Sequence, residues 1–409
     1  MRIDSSRRPV LAPRPSSAFL AERVRSMPPS GIRRFFDMLA EMKDVISLTI
    51  GEPDFTTPEP FSQAAINSLE AGETHYTANG GMIELRERIA ANLAARYGVR
   101  YEPRSELLVT VGASEAVDIT MRAILDPGDE VIYHEPSFVS YAPCVTLAGG
   151  TPIAIATTEA TEFQLTAEMI EPRITARTKA IFLGYPNNPT GAVLDRAQLT
   201  EIGELARRHD LLVVADEIYD RLVYGGHRHT AISSIPGLWE RSVLIGGFSK
   251  SYAMTGWRIG YVAAPAELMA GIAKVHQYAI MCAPTPAQFA AIEALDRGEP
   301  FVGQMLAEYD RRRRYIVGRF NEIGLRCFEP RGAFYCFPNV TSTGLDESSF
   351  AELLLEEERV GVVPGTAFGP SGAGHVRVCY ATAYEQIVEA MNRIERFVAR
   401  RAQTGRQTG

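Results

Sequence analysis

Leu211-Leu-Val-Val-Ala-Asp216-Glu-Ile-Tyr219 runs five apolar residues without a break and closes them with an acid. A strand with one face in water alternates apolar and polar side chains, whereas this run does not, so it reads as a strand covered on both faces. The same texture recurs at Leu107–Val111, Glu130–Tyr133, Pro152–Ile155, Ala180–Leu183, Val243–Ile245 and Tyr261–Ala263. Helical spacing fills the intervals at 114–124, 166–173 and 196–209, and amphipathic helices are predicted before them at 61–71 and 83–97. Strand–helix alternation of this kind predicts an α/β fold over 50–290: a mostly parallel seven-stranded sheet sandwiched by helices.

Toward the C-terminus the texture changes. A long basic helix is predicted at 301–323, and its Arg311–Arg314 run is interleaved with Glu308, Asp310 and Glu322, as on a solvated or salt-bridged face. Strand-like Ala333–Phe337, a helix Glu347–Glu358, a strand His375–Tyr380 and a helix near 384–402 complete a smaller α+β part.

With 46% hydrophobic residues and 409 residues in all, the chain can bury a substantial core. The charge of −7 leaves no basic excess for nucleic acid. Five cysteines, none in a C-x-x-C pair, read as reduced structural thiols in a cytoplasmic protein. Seven histidines form no H-E-x-x-H; His227 and His229 in a Gly-flanked loop read as a solvated surface pair, and no metal is expected. No stretch reaches the roughly 18–20 apolar residues that span a bilayer. The N-terminus lacks a secretory apolar segment, so residues 1–25 are expected to be a disordered or loosely ordered extension.

Four stretches carry chemistry. Gly247-Phe-Ser-Lys250-Ser-Tyr-Ala-Met-Thr-Gly-Trp-Arg258-Ile-Gly260 places a lysine past a buried strand among small and apolar neighbours. Burial there would lower its pKa and expose a nucleophilic amine. Asp216, at the carboxyl end of a central strand, is either a helix cap or a buried carboxylate that keeps a heteroaromatic nitrogen protonated. Val109-Thr-Val-Gly112-Ala113-Ser114 leads a strand into a helix whose free N–H groups suit a phosphate, although Ser114 could simply cap the helix. Pro186-Asn187-Asn188-Pro189-Thr190-Gly191 is a turn that leaves Asn188 free to aim its amide inwards.

Together these stretches make the chain resemble the fold-type I pyridoxal-phosphate aminotransferases of class I/II, nearest the aspartate and aromatic aminotransferases. The resemblance runs from Ser30-Gly31-Ile32-Arg33 to Ala381-Thr382-Ala383-Tyr384. It implies pyridoxal 5′-phosphate as cofactor, with Lys250 as the Schiff-base lysine, Asp216 on the pyridinium nitrogen and Tyr219 on the ring oxygen. Phe138 would stack on the ring, and Asn188 would reach the ring oxygen and the substrate carboxylate. Gly112, Ala113, Ser114 and Arg258 would hold the phosphate. Tyr76 would reach it from a neighbouring subunit, which implies a homodimer. Arg377 would take the substrate α-carboxylate bidentately, with the Gly51 backbone beside it. The second domain would then be assembled from both chain ends, residues 26–49 with 291–409, and close over a large domain at 50–290. Many relatives carry a phosphate-binding serine where this chain has Gly247, so the phosphate is expected to rely more on Ser114, Arg258 and the helix terminus than on the other available hydroxyl, Ser249.

The implied reaction is ping-pong transfer of an amino group between an L-amino acid and a 2-oxo acid such as 2-oxoglutarate. Relatives specific for aspartate place a cation for the distal carboxylate either in the stretch matching Gln277–Pro284 or at the position of Ser114. This chain has neither, which favours aromatic or apolar amino acids, with Arg33 and Arg34 as remaining candidates for that charge. An aspartate-type aminotransferase and a carbon–sulfur β-lyase are the alternatives. A transcription regulator with the same fold is not expected, since about 25 residues precede the match, too few for its DNA-binding module.

Overall fold

A computed structural model describes residues 15–28 and 42–407. Arg33, Arg34 and the start of the extension lie outside the described residues. Residues Ser16–Phe19 and Glu22–Arg25 form single exposed turns.

All seven apolar runs are strands of one sheet. They are β2 Leu107–Thr110, β3 Glu130–Glu135, β4 Thr151–Ala156, β5 Thr178–Gly184, β6 Leu212–Asp216, β7 Ser242–Gly247 and β8 Gly260–Ala263. A two-residue β1 at Ile46–Ser47 precedes them. Their order is β2-β8-β7-β6-β5-β3-β4; β8 runs antiparallel to both neighbours and every other pairing is parallel. The fold is therefore α/β with a mostly parallel seven-stranded sheet. Continuous apolar strands follow from burial on both faces. Val214, Phe182 and Val243 pack with the helices Gly112–Ile124 and Ala266–Ala279, while Val213, Ala215 and Ile181 pack with Arg196–Arg208.

Two small sheets complete the fold. In one, β11 Val363–Pro364 and β9 Tyr335–Cys336 flank β12 Val376–Cys379. In the other, β1 pairs in parallel with β10 Val360–Gly361, tying the segment before the large sheet to the C-terminal part. The basic helix spans Glu299–Glu322, and its arginine run is salt-bridged: Arg311 and Arg314 pair with Glu308 and Asp310 on the exposed face, while Arg312 and Arg313 are buried, the first on Asp54 and Glu308, the second on Asp310 and Glu329. Among the described residues no helix is long and apolar enough to cross a membrane, and no cluster of side chains could hold a metal.

Candidate active site

The carboxyl ends of parallel strands in an open sheet are where such folds bind ligands, and β6 ends there with Asp216, which is 7% exposed. Its Oδ2 accepts the Tyr141 hydroxyl at 3.0 Å, and its Oδ1 the Ile218 N–H at 3.2 Å. No cation pairs with it among the described residues. Burial pushes its pKa up to about 6; the Glu217 charge adds to the rise, while its hydrogen bonds and Lys250 oppose it.

Lys250 lies in the turn after β7 and donates from Nζ to the Gly51 carbonyl at 2.6 Å. The amine stands 5.9 Å from the Tyr219 ring centre and 5.8 Å from that of Phe334. Desolvation lowers its pKa to about 8. Gly51 is pressed so closely that a Cβ there would lie 2.3 Å from the Tyr335 hydroxyl, which in turn hydrogen-bonds Tyr219 at 2.9 Å.

Arg377, on β12, reaches the same place from the small sheet. One Nη donates to Asn188 Oδ1 at 3.0 Å and the other to the Thr49 carbonyl, while Nε is buried without a partner. Tyr335 and Phe368 flank the guanidinium, each ring centre 4.7 Å from Cζ. The fork is thus oriented before any ligand arrives.

At the opposite end, the helix Gly112–Ile124 begins with Gly112 at φ +73°, and a Cβ there would come within 2.6 Å of the Arg258 guanidinium. A Cβ at Gly260 would meet Gly112 and Ala113 backbone at 2.7 and 2.8 Å, so that glycine lets β8 abut the helix start. Arg258 also holds a positive φ of 54° and donates to the Thr255 carbonyl at 2.8 Å.

These groups face one cavity of about 340 Å³. Gly51, Ala113, Ser114 and Phe138 line it, as do Asn188, Asp216, Tyr219, Lys250, Arg258 and Arg377. Gly112 stands behind Arg258, and the buried Ser249 also faces the cavity. Tyr76 does not: it is 81% exposed, in a surface groove with Ile280, Cys282 and Pro284. Sequence reasoning passed over Tyr141 and Tyr335. Tyr141 follows Phe138 by three positions, the one signal that both belong to a single turn facing the site. His229 corrects the expectation of a solvated pair: its loop folds back so that Nε2 meets the buried Glu217 Oε2 at 2.7 Å.

The residues present fit pyridoxal phosphate. An unpaired buried carboxylate, an aromatic wall at Phe138 and a helix start beside Arg258 offer places for a cationic ring nitrogen, a ring face and a phosphate.

The sequence profile of the family "Aminotransferase class I and II" matches residues 43–394. The aspartate aminotransferase of Pyrococcus abyssi is 46% identical over 92% of this chain and 97% of its own length. The aromatic-amino-acid aminotransferase 2 of Thermococcus litoralis is 43% identical over 92% and 97%. The solved aromatic aminotransferase of Pyrococcus horikoshii superposes with a TM-score of 0.86 at 45% identity, covering 90% of this chain and 99% of that one. With its fold, its cavity and these relatives in agreement, the chain belongs to the class I and II aminotransferases and is an enzyme of that family.

Proposed function

We propose that the protein uses pyridoxal 5′-phosphate to move an amino group between an L-amino acid with an aromatic or apolar side chain and a 2-oxo acid such as 2-oxoglutarate, by a ping-pong cycle. When bound, the cofactor supplies an electrophilic carbonyl and an electron sink. Every other task falls to the chain. Lys250 would provide the amine that holds the cofactor and would serve as the base for the substrate α-proton; a pKa near 8 keeps a useful fraction of the amine unprotonated at neutral pH. Asp216 holds the proton on the ring nitrogen, with Tyr141 and the Ile218 amide fixing its oxygens. Tyr219 and Asn188 bond the ring oxygen and Phe138 packs on the ring. Gly112, Ala113, Ser114 and Arg258 hold the phosphate, and with Gly247 in place of a serine it relies the more on Ser114, Arg258 and the helix start. Arg377 binds the α-carboxylate of both substrates against the Gly51 backbone.

The observation that carries this reading is the single cavity in which Lys250, Asp216 and Arg377 converge from three separate parts of the chain. The same lining supports the substrate preference. Its cations among the described residues are Lys250, Arg258 and Arg377, each already assigned, and Glu52 adds a negative charge to the wall. A distal carboxylate therefore finds no free cation there among the described residues. An aspartate-type aminotransferase or a carbon–sulfur β-lyase is the second reading; relatives named for both aspartate and aromatic amino acids keep the former open.

The division into a unit at 50–290 and a unit of 26–49 with 291–409 belongs to the same proposal, supported by the β1–β10 pairing. So does a homodimer that brings Tyr76 to the partner's phosphate: Tyr76 and Ile280 share one surface groove, and both are exposed apolar side chains. The five unpaired cysteines agree with a cytoplasmic setting.

The test is to load the chain with pyridoxal phosphate and follow its absorbance against a panel of amino acids. Conversion by phenylalanine or tyrosine but not aspartate supports the proposal. Rapid conversion by aspartate overturns the preference, and pyruvate release from cystathionine without a 2-oxo acid moves the assignment to a β-lyase.

A further inference from the structure

Strand β6 sends successive side chains to opposite faces of the sheet, and the alternation continues through its last residues. Asp216 lines the reaction cavity, whereas Ala215 and Glu217 line a second cavity of about 360 Å³ on the other side. That cavity has apolar walls from Leu183, Leu194, Leu199 and Ile232, and His229 faces it beside Glu217.

Glu217 is 4% exposed and held by both oxygens. Oε2 meets His229 Nε2 at 2.7 Å, Oε1 accepts the Ile232 N–H at 2.8 Å, and the Glu217 N–H donates to the Ile245 carbonyl on β7. The Tyr97 ring packs edge-on to His229 at 5.5 Å, and its hydroxyl donates to Asp220 at 2.6 Å. Tyr101 and Tyr261 lie close enough to feel the Glu217 charge, and Asp195, Arg196, His227 and Arg228 also line the cavity. Glu217 and Asp220 favour the charged imidazole and raise the His229 pKa against the cost of burial.

We infer that Glu217 and His229 are a positioning pair that sets, from the back of β6, the electrostatic field acting on Asp216, with the second cavity as the path by which protons reach the pair. The inference rests on the proposed reading of the reaction cavity as a cofactor site. Its physical content is a charge balance. With His229 protonated, Glu217 is compensated; with His229 neutral, a buried negative charge stands one residue from Asp216 and favours every proton held in the reaction cavity.

Two conservative variants test this. Glu217→Gln keeps an acceptor for the Ile232 N–H and removes the negative charge; His229→Gln removes the positive one. In the full chain loaded with pyridoxal phosphate, the pH midpoint of the bound cofactor's absorbance is expected to move down in E217Q and up in H229Q, each by about half a pH unit or more. Opposite signs are what a merely structural role does not produce. Midpoints that stay put, or move together, overturn the inference. A second readout needs no cofactor: in the apo chain, a double-mutant cycle of E217Q with D216N in thermal unfolding is expected to show no coupling near pH 4, where Asp216 is protonated, and coupling above about pH 6. Coupling that is flat with pH overturns it as well. Failure of the chain to take up the cofactor at all would instead remove the underlying reading, so the two failures are distinguishable.

Discussion

Lys250 and Gly51 lie 199 residues apart and meet in one hydrogen bond, the ammonium donating to a backbone carbonyl at 2.6 Å. A neutral carbonyl stabilises the charge far less than water or a carboxylate would. The lysine is therefore held in place while its proton is held weakly, and burial brings its pKa to about 8.

That difference is measurable in the apo chain. There are four lysines, Lys43, Lys179, Lys250 and Lys274, so peptide mapping separates them. Reductive methylation near pH 8 should modify Lys250 well ahead of Lys179, whose pKa is raised by its hydrogen bond to Asp129. Equal rates at the two sites contradict the lowered pKa. A Lys250→Ala chain that still catalyses transamination would sink the mechanism.

Asp216 gives a prediction whose sign follows from linkage. Its folded pKa of about 6 lies above the ordinary aspartate value of 3.8, so between those pH values the native state holds more of the proton than the unfolded one. This group's contribution to stability is therefore full below pH 3.8 and is lost as pH rises through 6. Asp216→Asn keeps one oxygen to accept the Ile218 N–H and turns the Tyr141 bond round, the amide donating to the hydroxyl, without the buried charge. The apo variant should be more stable than the parent at pH 7.5 by about 2–3 kcal/mol, and the gain should vanish near pH 4. In the loaded enzyme the same change should lower kcat by roughly 10²-fold or more, because a preorganised charge is lost. Thermal unfolding across pH and steady-state kinetics check the two halves.

How much of this was legible in the sequence depends on the range of the interaction. The seven strands could be read because each is a local run, and Lys250, Asp216 and Arg377 because each sits in a local motif. The antiparallel insertion of β8 between β2 and β7 has no local signature. Tyr141 and Tyr335 were missed because their partners, Asp216 and Tyr219, are 75 and 116 residues away. His229 was misread because Gly225-Gly226-His227-Arg228 has the composition of a solvated loop, whereas the buried Glu217 carboxylate draws the imidazole inwards.

Arg377→Lys tests the fork. The two Nη groups serve Asn188 and Thr49 at once and the ring pair Tyr335–Phe368 grips a plane, none of which a single ammonium reproduces. KM for amino acid and for 2-oxo acid should both rise by about 10-fold or more, since the loss of one charge-assisted bond is worth roughly 1.5–3 kcal/mol. A variant that loses affinity for one substrate alone would contradict a shared carboxylate site.

Gly260→Ala tests the helix start from behind. The added methyl meets Gly112 and Ala113 backbone at 2.7 and 2.8 Å, and neither can swing aside as a side chain would. The turn beside Arg258 must shift, at a cost of about 1–3 kcal/mol for overpacking. Cofactor affinity, measured by equilibrium dialysis of the apo chain, should fall several-fold while Lys250 stays competent to react. Unchanged affinity would show that the turn does not hold the phosphate.

Arg312 links the basic helix to the segment that carries Gly51. Its Nη1 bonds both oxygens of Asp54 at 2.9 and 3.0 Å, its Nε bonds Glu308 at 2.8 Å, and it lies near the Phe55 and Tyr309 rings. Breaking a fully buried pair costs about 3–5 kcal/mol, but Asp54 and Glu308 keep partial access to water, so Arg312→Ala should cost about 2–3 kcal/mol in unfolding free energy. Because Asp54 sits three residues past Gly51, the damage should extend to the site: KM should rise while kcat, which the proposed mechanism assigns to Lys250 and Asp216, changes little. Asp54→Asn should reproduce the KM effect with a smaller loss of stability, because the Arg312–Glu308 bond survives. If Asp54→Asn leaves KM untouched, the Gly51 segment is placed by the β1–β10 pairing and Lys250 alone, and the Asp54 salt bridge serves stability only.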